Sequence, residues 1–134
     1  LDKFDWEGHK NQVIVNSPIL EEHIRKTHPS YGLISSTTKC ITDDKEALAE
    51  IDKDYVMTVV DYNYNKNMEF LKSIKNPEKV ELLINPVCYP NCPRRKEHYR
   101  QIGLASIHQY IEQPLECDAQ TRMFFEAMNL YYSK

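Results

Sequence analysis

The sequence predicts an α/β protein with a parallel sheet: half or most of a (β/α) barrel, or alternatively a small open doubly wound sheet. Three observations predict it. Short runs rich in valine and isoleucine recur along the chain, centred near Val13, Ile34, Val59 and Leu83. These centres lie 21, 25 and 24 residues apart, which is the spacing of a βα unit. The runs are apolar on both faces and amphipathic stretches separate them, the pattern of parallel strands covered by helices. A complete barrel takes about 250 residues, with a lower limit near about 200. At 134 residues this chain supplies about half.

The elements follow in order, within one domain whose βα core spans residues 12–103. Residues 1–11 are polar apart from Phe4 and Trp6 and read as a helix remnant or docking arm. Gln12–Val15 is a β-branched strand. Ser17 then caps a helix, with Pro18 at its first position and Glu21 and Glu22 in the first turn, where the helix dipole favours acids. Pro29 ends that helix near Lys26–His28. Tyr31–Ser35 is the second strand, and Thr42 caps a helix from Asp43 to Ile51. Tyr55–Val60 is the third strand. A helix starting at Asn65 or Asn67 runs through Phe70 and Ile74 to Asn76-Pro77. Val80–Ile84 is the fourth strand, and a charged helix with Pro93 at its first position follows. After Gly103 the pattern loosens: Ala105-Ser106-Ile107 reads as a short fifth strand. Residues 104–134 form a C-terminal segment with an amphipathic helix over Thr121–Tyr132.

Bulk properties narrow the function classes. Apolar content of 41 % and charged content of 28 % are ordinary for a globular protein. A net charge of −3 argues against a general nucleic-acid or anionic-membrane surface. No apolar run approaches the about 20 residues of a membrane span. Residues 1–15 lack the basic start and apolar run of a signal peptide. With four unevenly spaced cysteines, this favours a reducing cytoplasm, where a close cysteine pair is a metal or redox candidate before it is a staple. Leu1 in place of an initiating methionine points to an upstream piece. With three glycines and neither a GxGxxG nor a P-loop, phosphate cradles of those types are excluded.

Chemistry concentrates at the strand exits and in the loop after the fourth strand. Asn16 and Ser17, Ser35 to Thr38, Asp61, Asn63 and Asn85 follow strands. In parallel α/β folds such exits meet at one rim, where ligands bind. Ser17, Thr42 and Asn67 serve as helix caps, whereas Asp61, Asn63 and Asn85 are candidates to line a site. The loop carries Cys88 and Cys92. They are either plain half-buried thiols, or ligands of zinc or an iron–sulfur cluster, or a redox pair. Metal binding needs partners, and His98, Cys117 and Cys40 are the available ones. Arg94, Arg95 and Lys96 form a solvated helix face or, alternatively, an anion clamp for a carboxylate or phosphate. Tyr62, Tyr64, Tyr89 and Tyr99 lie near the exits, to stack on a ligand or cover the barrel mouth. The third cysteine of a radical S-adenosylmethionine motif is replaced by Arg95, which rules that site out.

The runs VNSP, LISSTTK, VVDYN and ELLINPVCYPNCPRRKEHY resemble uncharacterised bacterial proteins with a (β/α)-barrel core, distantly similar to the collagenase-like peptidase family. The likeness covers about residues 12–103 and is most specific over Asn85–Tyr99. It implies a barrel extending beyond both ends of this chain. It also implies an association with iron–sulfur clusters and with hydroxylation of RNA or quinone substrates, with Cys88 and Cys92 in the matching segment. Peptidase chemistry finds no Ser/His/Asp set or HExxH motif here. The functional expectation is a cytoplasmic enzyme domain. Cys88 and Cys92 bind a metal or cluster, Arg94 and Arg95 hold an anionic substrate, and Asp61, Asn63 and Asn85 orient it. The rival expectation is a non-catalytic module that forms a homo-oligomer or docks a missing barrel half.

Overall fold

The computed structural model describes residues 10–84, 86, 88 and 90–107. The chain divides into two compact units, Leu1–Leu83 and Ile84–Lys134. The first unit holds one four-stranded parallel sheet in the order β1-β2-β3-β4, with β1 Gln12–Val15, β2 Gly32–Ser35, β3 Met57–Val60 and β4 Val80–Leu82. Helices α1 (Pro18–Thr27), α2 (Asp44–Ile51) and α3 (Met68–Ser73) follow the first three strands. The expected parallel βα arrangement is therefore present, as an open sheet that does not close on itself.

Register explains where the core lies. Val15, Ser35, Thr58 and Val80 stand abreast in neighbouring strands. Successive side chains on a strand point to opposite faces. The face carrying Val13, Val15, Leu33, Val60 and Val80 packs into two apolar clusters. One gathers Val15, Ile24, Tyr31, Leu33 and Tyr55. The other gathers Ala47, Ile51, Val60, Tyr64, Phe70 and Ile74. All three helices thus serve one face. On the opposite face Ile14 is 63 % exposed, while Ile34, Met57 and Val59 are half-buried. Strands apolar on both faces predict helices on both; among the described residues only one face is packed this way.

Local chemistry sets the element ends. Ser17 caps α1, its Oγ accepting from the Leu20 amide, with Pro18 in the first turn. Asn67 caps α3 by accepting from the Phe70 amide at 3.1 Å. The cap of α2 is Asp43 and not Thr42: its Oδ1 accepts from the Lys45 and Glu46 amides, both at 3.0 Å. A carboxylate facing several unpaired amides at a positive helix end is the stronger cap. The strands are shorter than the apolar runs. Tyr31 and Tyr55 lie ahead of β2 and β3 and plug the core from there, and Ile84 lies beyond β4 and is exposed.

In the second unit α4 spans Arg95–Ser106. The expected fifth strand at Ala105–Ile107 is incorrect, because Ala105 and Ser106 close this helix and Ile107 caps it. Gly103 is tolerated inside it, next to the strong helix formers Leu104 and Ala105. The helix begins at Arg95, two residues after the position expected for Pro93, with Arg94 as a cap that supplies no side-chain hydrogen bond. The expected helix over Thr121–Tyr132 and the docking arm over residues 1–11, save Lys10 and Asn11, lie outside the described residues.

Ile51, fully buried under α2, is the position most sensitive to truncation. Ile51→Ala is expected to cost about 2–5 kcal/mol, from lost transfer energy and the cavity left behind. Urea titration followed by circular dichroism reads this as a lower midpoint at an unchanged slope; a midpoint within error of the parent would show that α2 does not seal the core.

Candidate functional site

The strand exits are polar, and most of that polarity ties neighbouring strands together. Asn16 Nδ2 donates to Thr38 Oγ1 at 2.5 Å, joining the exits of β1 and β2. Thr37 Oγ1 donates to the Val60 carbonyl at 3.2 Å, joining β2 to β3. Asn65 Nδ2 donates to the Leu83 carbonyl at 3.0 Å, joining β3 to the end of β4. Ser36 Oγ accepts from the Thr38 amide at 3.2 Å and shares a hydrogen with Thr38 Oγ1 at 2.8 Å. Thr37–Lys39 is consequently held as a 3-10 turn, which Cys40 closes in a left-handed conformation at φ 53°.

Beneath this rim lies a cluster of buried charge. Glu50 projects from the buried side of α2 and is 5 % exposed. Its carboxylate accepts from Ser35 Oγ at 2.6 Å and from Lys39 Nζ at 2.6 Å, and pairs with Lys53. Lys39 Nζ also donates to Tyr55 Oη at 3.0 Å and lies 4.8 Å from the centre of the Tyr55 ring. Tyr55 Oη donates in turn to Glu21 Oε2 at 2.7 Å, and Glu21 pairs with Arg25 at 3.1 Å. One relay thus runs from β2 through α2 and the Lys39 turn to α1. Burial alone raises the Glu50 carboxyl, but hydrogen bonds from Lys39, Lys53 and Ser35 outweigh it and hold the group down at about 2. Burial and the hydrogen bond to Glu21 push the Tyr55 phenol well above its ordinary range, so it serves as a neutral donor. Two carboxylates and a phenol thus surround Lys39 Nζ.

Between the exits of β2 and β3 a cavity of about 10 Å³ opens, lined by Ser35, Thr37, Ala47, Glu50, Thr58 and Asp61 among others. Ser35 and Thr58 are register partners and face the same side of the sheet. Thr58 is 4 % exposed, and among the described residues its Oγ1 has no hydrogen-bond partner. Asp61 is buried too; it caps the 3-10 helix Tyr62–Lys66, its Oδ1 accepting from the Asn63 amide at 3.0 Å. Part of Asp61 is therefore spent on a cap, the role the sequence reading assigned to other residues.

The remaining candidates are placed as follows. Asn63 is half-buried at the β3 exit, while Asn85 lies outside the described residues. Tyr62 and Tyr64 do not cover a mouth. Both are buried, and Tyr64 stacks on Phe70 with ring centres 3.8 Å apart. In the second unit Cys88 and Cys92 are half-buried and not disulfide-bonded. The turn between them holds Asn91 at φ 57°, which a residue of its type tolerates. His98 is half-buried in α4, and Cys117 lies outside the described residues. Among the described residues no group of three or more His, Cys, Asp or Glu side chains is gathered for a metal. Arg94 is exposed and Arg95 buried, so the two do not share the solvated face expected of them. On the exposed part of α4, Glu97 accepts from Arg100 at 2.7 and 2.8 Å. Among the described residues no helix is long and apolar enough to cross a membrane.

Glu50 was not singled out from sequence, although a signal existed. It sits at the third position after Ala47 and next to Ile51, on the stripe that α2 buries, where a carboxylate requires partners. Its folded-state value near 2 lies below the ordinary 4.5. The stabilisation is thus present above about pH 4.5 and lost as pH falls toward 2. By linkage it amounts to at most about 3 kcal/mol, reduced by the solvent exposure of Lys53. Glu50→Gln is expected to lower stability at pH 7 and to flatten the acid limb of stability against pH between about 4.5 and 2. Unfolding midpoints of both proteins across that range check this; parallel curves would remove Glu50 from the hub. Set against family models, curated proteins and solved structures, the chain matches none of them.

Proposed function

We propose that this chain is a ligand-binding domain of (β/α)-barrel type whose site lies at the exits of β2 and β3 and takes a small polar molecule. One observation carries the reading: a cavity with hydroxyls and carboxylates among its lining residues opens between adjacent parallel strand ends, and among the described residues the buried hydroxyl of Thr58 is unpaired. Sites of parallel α/β proteins gather at that end of the sheet, and buried polar atoms rarely lack partners. Asp61 and Asn63 orient the ligand at the mouth, Ser36 and Thr37 frame it, and α2 forms the back wall. The anionic-substrate reading, with Arg94 and Arg95 as a clamp, draws support from Arg94 alone on the exposed side of the second unit.

Two half-buried cysteines on one loop, without a disulfide, favour a second reading, in which Cys88 and Cys92 hold zinc or an iron–sulfur cluster. Two thiolates fall short of the four ligands either centre uses, so His98 and Cys117 would both have to join them. The non-catalytic alternative, a module that pairs with itself through its open sheet, draws on the exposure of Ile14 and on the hazard that unprotected sheet edges present.

Amide NMR of the full chain against a library of small polar fragments tests the leading reading. Shifts confined to Ser36, Thr37, Thr58 and Asp61 are the expected result, and shifts scattered over the surface, or none, reject it. Metal and sulfide analysis of protein purified without oxygen tests the second. Iron or zinc near stoichiometry, lost in Cys88→Ser, is its expected signature; no bound metal leaves both thiols as ordinary loop residues.

A further inference from the structure

The hydrogen-bond valence of the cavity identifies what fits inside it. Ser35 Oγ gives its hydrogen to Glu50 Oε1 at 2.6 Å and keeps a lone pair. Thr37 Oγ1 gives its hydrogen to the Val60 carbonyl at 3.2 Å. The Glu50 carboxylate is occupied by Ser35, Lys39 and Lys53. Asp61 presents a second carboxylate. Thr58, buried and without a protein partner, has one hydrogen to donate and lone pairs to accept with.

Three classes of occupant can be separated on these counts. An anion would face two carboxylates, and no cationic side chain lines the cavity. An ammonium group donates but cannot accept, so the Thr58 hydrogen would stay unpaired. A hydroxyl does both: it accepts from Thr58 and donates to the Ser35 oxygen. The volume of about 10 Å³ holds one group of that size.

We infer that the cavity is a subsite for a single neutral hydroxyl group, seated against Thr58 and Ser35. In the free protein a water molecule fills it. When the site of the proposed function is occupied, the hydroxyl of an alcohol or polyol ligand replaces that water. The second half rests on the reading of the β2–β3 exits as a binding site; the first half does not.

The test uses the full chain and two variants. Thr58→Val keeps the shape and removes the hydroxyl, whereas Thr58→Ser keeps the hydroxyl. A seated water predicts that Thr58→Val lowers Tm by about 3–6 °C while Thr58→Ser retains most of the stability. It also predicts a density peak within hydrogen-bond reach of Thr58 Oγ1 in a high-resolution crystal structure. Thr58→Val equal to or above the parent in Tm, or no such peak, overturns the subsite, since removing an unsatisfied buried hydroxyl should cost nothing. The ligand half is read separately with ethylene glycol and ethane as probes in amide NMR. Shifts at Thr58 and Ser35 with the diol alone, abolished in Thr58→Val, support it. Equal shifts with both probes, or none with the diol, overturn it. A seated water with no response to the diol would sink the ligand half and the binding-domain reading while sparing the water.

Discussion

The Glu50 carboxylate is the constraint on which the rest of the first unit depends. A charge on the inner face of α2 is tolerable only if strong donors surround it, because an isolated buried carboxylate costs several kcal/mol. Ser35, Lys39 and Lys53 supply those donors, and each must come from a fixed place. Ser35 ends β2, Lys39 closes the turn after it, and Lys53 leaves α2. Satisfying one carboxylate therefore fixes the β2 exit, the following turn and the pitch of α2 together. Tyr55 and Glu21 carry the same requirement across to α1. An apolar replacement of such a cluster is often no less stable, but it would give up the tie between α2, the Lys39 turn and α1.

A second consequence concerns the rim. Polar strand exits invite a ligand reading, yet Asn16, Thr37 and Asn65 each spend a hydrogen bond joining one strand exit to the next. In a sheet whose strands are three or four residues long, ladder bonds alone give little purchase on register. Side-chain ties at the exits add it where the strands stop. The proposed ligand site is what these ties leave, the cavity wall with Thr58.

The parallel βα arrangement and the strand spacing were legible because parallel buried strands must be apolar, and helices must separate them. The caps at Ser17 and Asn67 were legible because only short polar side chains reach the amides of a first turn. Thr42 and Asp43 were not separable by type, since both cap, and the choice lies in backbone geometry at one residue. Ala105–Ile107 misled because a short apolar run carries no period, and Gly103 looked like a break. At the site, Asp61 stood out for its place after a strand. Glu50 and Thr58 did not, because their importance comes from facing each other across the sheet–helix interface. Strand parity would have placed Ser35 and Thr58 on the buried side beside Val15 and Val60, where a hydroxyl needs a reason.

Charge then decides between the classes of ligand. The cysteine–arginine segment draws the eye in the sequence because its charges are dense, but dense charge on a short helix is readily satisfied within it, as Glu97 and Arg100 show. Buried polarity is scarcer and harder to satisfy, so it discriminates better. In the first unit the two lysines nearest the cavity are both committed to Glu50, so neither is on hand for an anionic ligand. A wall of this kind suits the hydroxyl subsite proposed above better than it suits a phosphate or carboxylate. The anionic-substrate proposal rests instead on the second unit, where Arg94 stands exposed.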